Sequence, residues 1–71
     1  MKKATETEFL EHINKYAKGH TVGKYNKKSY YNEHGQTIAV HLHDVLLNGY
    51  LEDRYYITTR KQMEKLNGVI K

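Results

Sequence analysis

Apolar residues recur at helical spacing near both ends of the chain and alternate with polar residues between them. The first helical stripe consists of Phe9, Leu10, Ile13, Tyr16 and Ala17. Such spacing gives a helix one apolar face that can cover a core. Thr5 followed by Glu8 matches a capping box, and Gly19 is a common residue just after a helix end. The pattern predicts an N-terminal helix over residues 6–18.

The middle of the chain, about residues 21–57, has the pattern of a sheet. Segments rich in β-branched and aromatic residues are separated by turn residues, which is typical of antiparallel strands. Asn48-Gly49 is a strong signal for a two-residue hairpin turn, and Gly35 suits the turn before Thr37. We expect three or four strands and place Glu52-Asp53 in a turn.

The strand over residues 37–43 has two chemically different faces. Alternation puts one set of side chains on each side of the sheet. We expect the aliphatic set to face the core, namely Ile38, Val40 and Leu42. The other set would then face solvent, namely Ala39, His41 and His43.

A second capping pattern, Thr59 with Gln62, begins a shorter apolar stripe near the C-terminus. It predicts a helix over residues 60–67 that stops at Asn67-Gly68. The expected fold is a single α+β domain, residues 1–71, with an N-terminal helix and a short C-terminal helix on one face of the antiparallel sheet.

Composition narrows the function classes. The chain of 71 residues has no cysteine, which excludes disulfides, thiolate metal sites and a cysteine nucleophile. No apolar run approaches a membrane span and no signal-peptide core follows Met1, so we expect a cytoplasmic location and no membrane partner. No serine, cysteine or lysine has a recognisable nucleophile setting, so we expect no enzymatic activity and no cofactor.

Positive charge is concentrated in one segment. The formal net charge is +4, and no acidic residue occurs from Ile13 to Asn32. The lysines of that segment are Lys15, Lys18, Lys24, Lys27 and Lys28. This segment can simply keep the protein soluble, or it can attract an acidic protein or nucleic acid.

His41 and His43 are the candidate metal ligands. Two residues apart on a strand, their imidazoles point to the same side, as in some metal sites. A third ligand would come from His12, His20 or a carboxylate. The simpler interpretation is that both histidines occupy the solvent face of a half-exposed strand, and we expect no resident metal.

Tyr-Tyr pairs at 30–31 and 55–56 must each place one ring on either side of a strand. We expect Tyr31 and Tyr56 to face away from the helices. Outward tyrosines can anchor a protein interface, stack on single-stranded bases or simply stiffen the sheet.

About 40 residues of the chain resemble small bacteriophage proteins that are mostly uncharacterised. The matching pairs are Tyr30-Tyr31, His34-Gly35, Ile38-Ala39, Gly49-Tyr50, Thr58-Thr59 and Leu66-Asn67. The resemblance implies a phage-type accessory protein that acts in the infected bacterial cell.

These observations lead to three functional hypotheses. The first is a non-enzymatic protein that binds and modulates or inhibits a host protein through Tyr31, His41, His43, Tyr56, Lys24, Lys27 and Lys28. The second is a nucleic-acid-binding module that uses Lys15, Lys18, Lys24, Lys27, Lys28, Tyr25 and Arg54. The third is a self-associating structural or regulatory unit, such as a homodimer, because a core this small gains from an interface.

Overall fold

A computed structural model describes residues 1–70 as one five-stranded antiparallel sheet and two helices. The elements are β1 (Lys2–Ala4), α1 (Glu6–Tyr16), β2 (Gly19–Val22), β3 (Lys27–Tyr31), β4 (Thr37–Leu47), β5 (Tyr50–Ile57) and α2 (Arg60–Ile70). The strand order is β1-β5-β4-β3-β2. The predicted α+β class is confirmed, and the sheet has more strands than the three or four expected.

The additional strand is β1, which pairs with β5 at the edge of the sheet. Lys2 lies opposite Ile57 and Ala4 lies opposite Tyr55. Three residues are too few to show a recognisable alternation, and the pairing joins two distant parts of the chain. The sequence pattern therefore gave no sign of this strand.

Helix α1 begins as its capping pattern predicts. The Thr5 N–H donates to Glu8 Oε1 (3.0 Å), and the Glu8 N–H donates to Thr5 Oγ1 (3.2 Å). The hydrogen bond from the Thr5 backbone lowers the pKa of Glu8. The helix ends at Tyr16, earlier than predicted, because the Lys18 N–H donates to the Tyr31 carbonyl (2.7 Å) and draws the chain into the sheet.

The core forms where α1 crosses β4 and β5. Phe9 is 2 % exposed and belongs to a buried cluster with Ala4, Ala39 and Ile57. Its ring centroid lies 5.2 Å from that of Tyr30 and 5.0 Å from that of Tyr55. The small Ala39 side chain leaves room for the Phe9 ring, so this face of β4 lies under the helix.

The predicted faces of β4 are therefore wrong from Ala39 onward, although Ile38 is buried as predicted. The side of β4 that carries Ala39 and His41 faces α1, and the His41 ring lies 5.9 Å from that of Phe9. Val40 and Leu42 lie on the opposite side and are half-buried. The face of β4 that carries the small Ala39 side chain packs under the large Phe9 ring of α1. The prediction had compared the two faces only by their hydrophobicity.

Ile38 lies at a β-bulge. Tyr30 pairs with Ala39 and Tyr31 pairs with Thr37, so Ile38 is an extra residue on β4. The Ile38 carbonyl accepts the Thr58 N–H (2.9 Å). The bulge interrupts the alternation, and Ile38 and Ala39 are both fully buried.

The hairpin at Asn48-Gly49 is confirmed, and its strands are longer than predicted. Both turn residues have positive φ, 52° at Asn48 and 82° at Gly49, as a type I′ turn requires. Strands β4 and β5 continue to this turn, with a shift of register between Leu42 and Val45. Glu52 and Asp53 lie within β5 and not in a turn, because β4 supplies their pairing partner.

Helix α2 begins with the predicted capping box. The Thr59 N–H donates to Gln62 Oε1 (2.9 Å), and the Gln62 N–H donates to Thr59 Oγ1 (3.1 Å). Buried Met63 shares a surface hollow with His12 and Tyr16 of α1. The helix runs through Asn67-Gly68 to Ile70. Neither described helix has the length and apolar character needed to cross a membrane.

Candidate functional site

Strands β4 and β5 extend beyond the rest of the sheet as a two-stranded ribbon. The pairing of β3 with β4 reaches only to Leu42, and the pairing of β1 with β5 reaches only to Tyr55. Within residues 1–70, the ribbon at positions 43–54 therefore has no third strand. It contributes to the elongated shape of the molecule, 46 × 21 × 17 Å.

The ribbon carries exposed apolar side chains. Leu46 and Leu51 lie opposite each other and are 70 % and 65 % exposed, while Tyr50 is 75 % exposed. Register places Leu46 and Leu51 on the same side as His43 and Asp53, and Tyr50 on the other side. This apolar pair at the end of the molecule is the candidate interaction surface.

A second β-bulge lies at the base of the ribbon. Leu42 pairs with Arg54 and Val45 pairs with Glu52, so two residues of β4 lie opposite Asp53 alone. These two residues are His43 and Asp44. Asp44 has φ 53°, and its N–H donates to Asp53 Oδ1 (3.1 Å). The positive φ turns the backbone so that its N–H faces the Asp53 carboxylate.

The bulge brings both candidate histidines to one carboxylate. His41 Nε2 lies 3.1 Å from Asp53 Oδ2, and His43 Nδ1 lies 2.9 Å from Asp53 Oδ1. One potential ligand atom from each of the three residues lies within 4.8 Å of the other two. Asp53 and His41 are half-buried and His43 is exposed, so the cluster is open to solvent.

Neighbouring side chains hold the cluster in place. The His41 ring stacks on Tyr55 at 4.6 Å, with 10° between the planes. The Tyr55 hydroxyl donates to Glu6 Oε2 (3.1 Å) and lies 3.5 Å from Asp53 Oδ2. On the other side, His43 Nε2 lies 3.3 Å from Asp44 Oδ2.

These contacts shift the pKa of Asp53 and that of the neighbouring Tyr55. The hydrogen bond from the Asp44 N–H, aided by the one with His41, lowers the pKa of Asp53. Desolvation, together with the Glu6 and Asp53 carboxylates, raises the pKa of Tyr55 to about 12. At neutral pH, Asp53 is therefore an ionised acceptor and Tyr55 is a hydroxyl donor.

Part of the lysine-rich segment lies beside this cluster. Lys28 lies directly opposite His41 across the β3–β4 pair, and the Asn26 carbonyl accepts the His43 N–H (3.1 Å). A hollow of about 340 Å³ is lined by Val22, Asn26, Lys27, Lys28, His41 and His43. The structure thus places Lys27 and Lys28 beside His41 and His43. These four residues were predicted from the sequence to belong to one partner-binding surface.

Tyr31 and Tyr56 do not share that surface. Tyr56 lies opposite Val40, and the Tyr31 hydroxyl is 2.6 Å from Thr21 Oγ1. Register places both tyrosines on the face that α1 does not cover, whereas the histidines lie on the α1 side. The expectation that all four side chains share one sheet face is wrong, because the orientation of β4 is reversed.

The residues of the nucleic-acid hypothesis are dispersed. The Lys18 N–H is hydrogen-bonded to the Tyr31 carbonyl at the end of β3. Lys27 is the first residue of the same strand and lies at its other end. Lys15 shares a hollow with Lys18 away from Lys27. Arg54 pairs with Glu52 (3.8 Å) within β5. Lys24 and Tyr25 lie in the β2–β3 turn, and Tyr25 is almost fully exposed.

Neither other histidine weighed as a third ligand joins the cluster. His12 Nε2 is 2.9 Å from Thr58 Oγ1, and burial lowers the pKa of His12. The His20 ring packs 5.5 Å from that of Tyr30. The third member is the carboxylate of Asp53, which the sequence interpretation placed in a turn.

Counting outward from Asn48-Gly49 was the signal that could have found it. In a regular hairpin this count places Asp53 opposite Asp44, on the other face from His41 and His43, so the count alone finds the paired residue but not the cluster, which needs the bulge. The candidate site therefore has two parts, the Leu46–Leu51 pair on the ribbon and the histidine–aspartate cluster at its base. No protein-family model, no curated protein and no solved structure matches this chain.

Proposed function

We propose that this protein is a small non-enzymatic binding module that attaches to another protein through its projecting ribbon. The observation that carries the proposal is the exposure of Leu46 and Leu51 on one side of the ribbon and of Tyr50 on the other, where no further strand of residues 1–70 is paired. Covering these side chains with a partner would remove apolar surface from water and favour association. Tyr50 adds a side chain common at the centre of interfaces.

The expected partner surface is acidic around an apolar pocket. Lys24, Lys27 and Lys28 lie in or next to the β2–β3 turn, where β3 meets the base of the ribbon. They would lie near the partner when Leu46 and Leu51 are inserted. Charge complementarity of this kind favours encounter with an acidic surface and makes the association rate sensitive to salt.

The proposal includes no catalytic step. His41 and His43 face the Asp53 carboxylate, not a hydroxyl or thiol that they could activate as a nucleophile. The resemblance to small bacteriophage proteins supports a bacterial host protein as the target. The ribbon would then act by occlusion, as a phage-type accessory inhibitor does.

The test is capture from bacterial lysate, with and without nuclease treatment, using three versions of the tagged protein. The versions are the natural chain, the double variant Leu46→Thr/Leu51→Thr and the control Leu10→Gln. Threonine retains strand propensity, and Leu10 is an exposed apolar residue on α1, away from the ribbon. Circular dichroism verifies that all three are folded.

We expect one stoichiometric protein, captured by the natural chain and by Leu10→Gln but lost from the double variant. With that protein purified, Lys24→Gln/Lys27→Gln should weaken binding at low salt more than at high salt. Equal capture by the double variant would refute the ribbon as the interface.

Two other outcomes would favour the competing hypotheses. Capture of nucleic acid, with affinity falling steeply as salt rises, would favour nucleic-acid binding. A dimer in sedimentation that the double variant converts to a monomer would show that the ribbon binds a second copy of this chain.

A further inference from the structure

We propose that His41, His43 and Asp53 bind a divalent transition-metal ion of the zinc type at the base of the ribbon. Two imidazole nitrogens and one carboxylate oxygen form a ligand set suited to such ions. The three residues come from two paired strands, and the bulge at Asp44 brings them together. This inference does not depend on the identity of the ribbon's partner.

The separations require only a small adjustment. Ligand atoms around a tetrahedral zinc ion are about 3.3 Å apart, given bonds of about 2.0–2.1 Å. Each imidazole already lies slightly closer than this to a different oxygen of Asp53, with His41 Nε2 3.1 Å from Oδ2 and His43 Nδ1 2.9 Å from Oδ1. The widest separation among the chosen atoms is within 4.8 Å, and the exposed His43 ring has room to rotate inward.

The surroundings support these groups as ligands. His43 directs Nδ1 toward the centre of the cluster while Nε2 lies 3.3 Å from Asp44 Oδ2. A carboxylate that accepts the second N–H of a ligating imidazole orients the ring and strengthens it as a ligand. The Asp44 N–H donates a hydrogen bond to Asp53 Oδ1 and so orients the Asp53 carboxylate.

The charge balance also favours a cation, with one opposing contribution. The Asp53 and Asp44 carboxylates both lie beside the imidazoles, and a divalent ion would balance their negative charge. Lys27 and Lys28 line the adjoining hollow and lower the affinity for a cation. Both are long, flexible side chains on the sheet surface, so the ammonium groups can move into solvent.

The test is titration of the full chain, with any affinity tag removed, with zinc chloride in a calorimeter and with cobalt chloride in an absorption spectrometer. The ligand variants are His43→Gln and Asp53→Asn. The matched control is His34→Gln, because His34 lies beside one carboxylate, Glu33 (3.3 Å), and belongs to no cluster of three potential ligands among residues 1–70. Thermal unfolding without metal verifies that each variant is folded.

We expect one equivalent of zinc to bind, with an affinity at least about tenfold lower in each ligand variant and unchanged in the control. Cobalt should give a visible absorption band that disappears in His43→Gln. Zinc should also raise the unfolding temperature of the natural chain, because the ligands converge only in the fold.

Absence of saturable one-to-one binding would refute the site. An equal loss of affinity in His34→Gln would refute it as well, because it would show nonspecific histidine binding. The variant Leu46→Thr/Leu51→Thr should bind zinc normally, so failure of the metal site and failure of the ribbon interface are distinguishable.

Discussion

The two halves of the β4–β5 hairpin share one backbone pairing and differ in almost everything around it. In the half near Ala39 and Ile57, α1 covers one face and the neighbouring strands β3 and β1 flank the pair. In the half near Leu46 and Leu51, no other strand within the described chain is paired with it. An alanine is fully buried in the first half, while two leucines are largely exposed in the second.

Under the proposed function, this difference separates the side chains that stabilise the fold from those that would contact a partner. Apolar side chains in the covered half stabilise the domain through burial and close packing. The apolar side chains on the ribbon are exposed, so we expect them to contribute little to stability. The bulge at Asp44 marks the boundary between the two halves, and the histidine–aspartate cluster lies there.

The largest expected effect is on the covered half. Phe9→Ala should lower the free energy of unfolding by about 3–5 kcal/mol, because it removes the ring from a closely packed site and leaves a cavity. Urea denaturation measures the change. A decrease in the free energy of unfolding of less than about 1 kcal/mol would mean that α1 does not stabilise this half. The two halves would then not differ in their contribution to stability.

At the boundary between the two halves, the backbone conformation of Asp44 should affect stability more than its side chain does. A β-branched residue at φ 53° is unfavourable by roughly 1–2 kcal/mol, whereas glycine has no such penalty. Asp44→Val should therefore be less stable than Asp44→Gly by that amount in thermal or urea unfolding. Equal stability of the two variants, which both lack the carboxylate, would show that the bulge is not needed.

The covered half should also depend on pH through His12. Its folded pKa lies below the ordinary value of 6.5, so the unfolded chain takes up the proton first as the pH falls. Stability should be full above pH 6.5 and decline below it, until the folded group also protonates. His12→Gln should flatten the slope between pH 7 and 5, and an unchanged slope would contradict the assignment.

The smallest effect on stability is expected on the ribbon. Leu46→Thr/Leu51→Thr should change the free energy of unfolding by no more than about 0.5 kcal/mol, since both side chains are already exposed. Urea denaturation beside Phe9→Ala gives the contrast directly. A large loss would show that the ribbon belongs to the core, and it would remove the argument for a free binding surface.

Local chemistry was the part of this structure that could be predicted. The capping pairs Thr5 with Glu8 and Thr59 with Gln62, and the turn at Asn48-Gly49, involve residues close in sequence. Each such motif determines its own backbone geometry. The α+β class followed from the order of these elements.

The parts that were missed depend on contacts between strands. The bulges at Ile38 and Asp44 exist only relative to a partner strand, and each moves all later residues to the other face. The orientation of β4 depended on how Phe9 fits over Ala39. Asp53 could not be assigned to the cluster without the second bulge.

The pairing of β1 with β5 determines when the domain can be completed during synthesis. Pairing between neighbours such as β4 and β5 requires only the closure of a short turn, which takes microseconds. Lys2–Ala4 must wait for a strand near the far end of the described chain, and such nonlocal contacts form late. On the ribosome, Phe9 therefore lacks its full set of neighbours until Tyr55 and Ile57 have emerged.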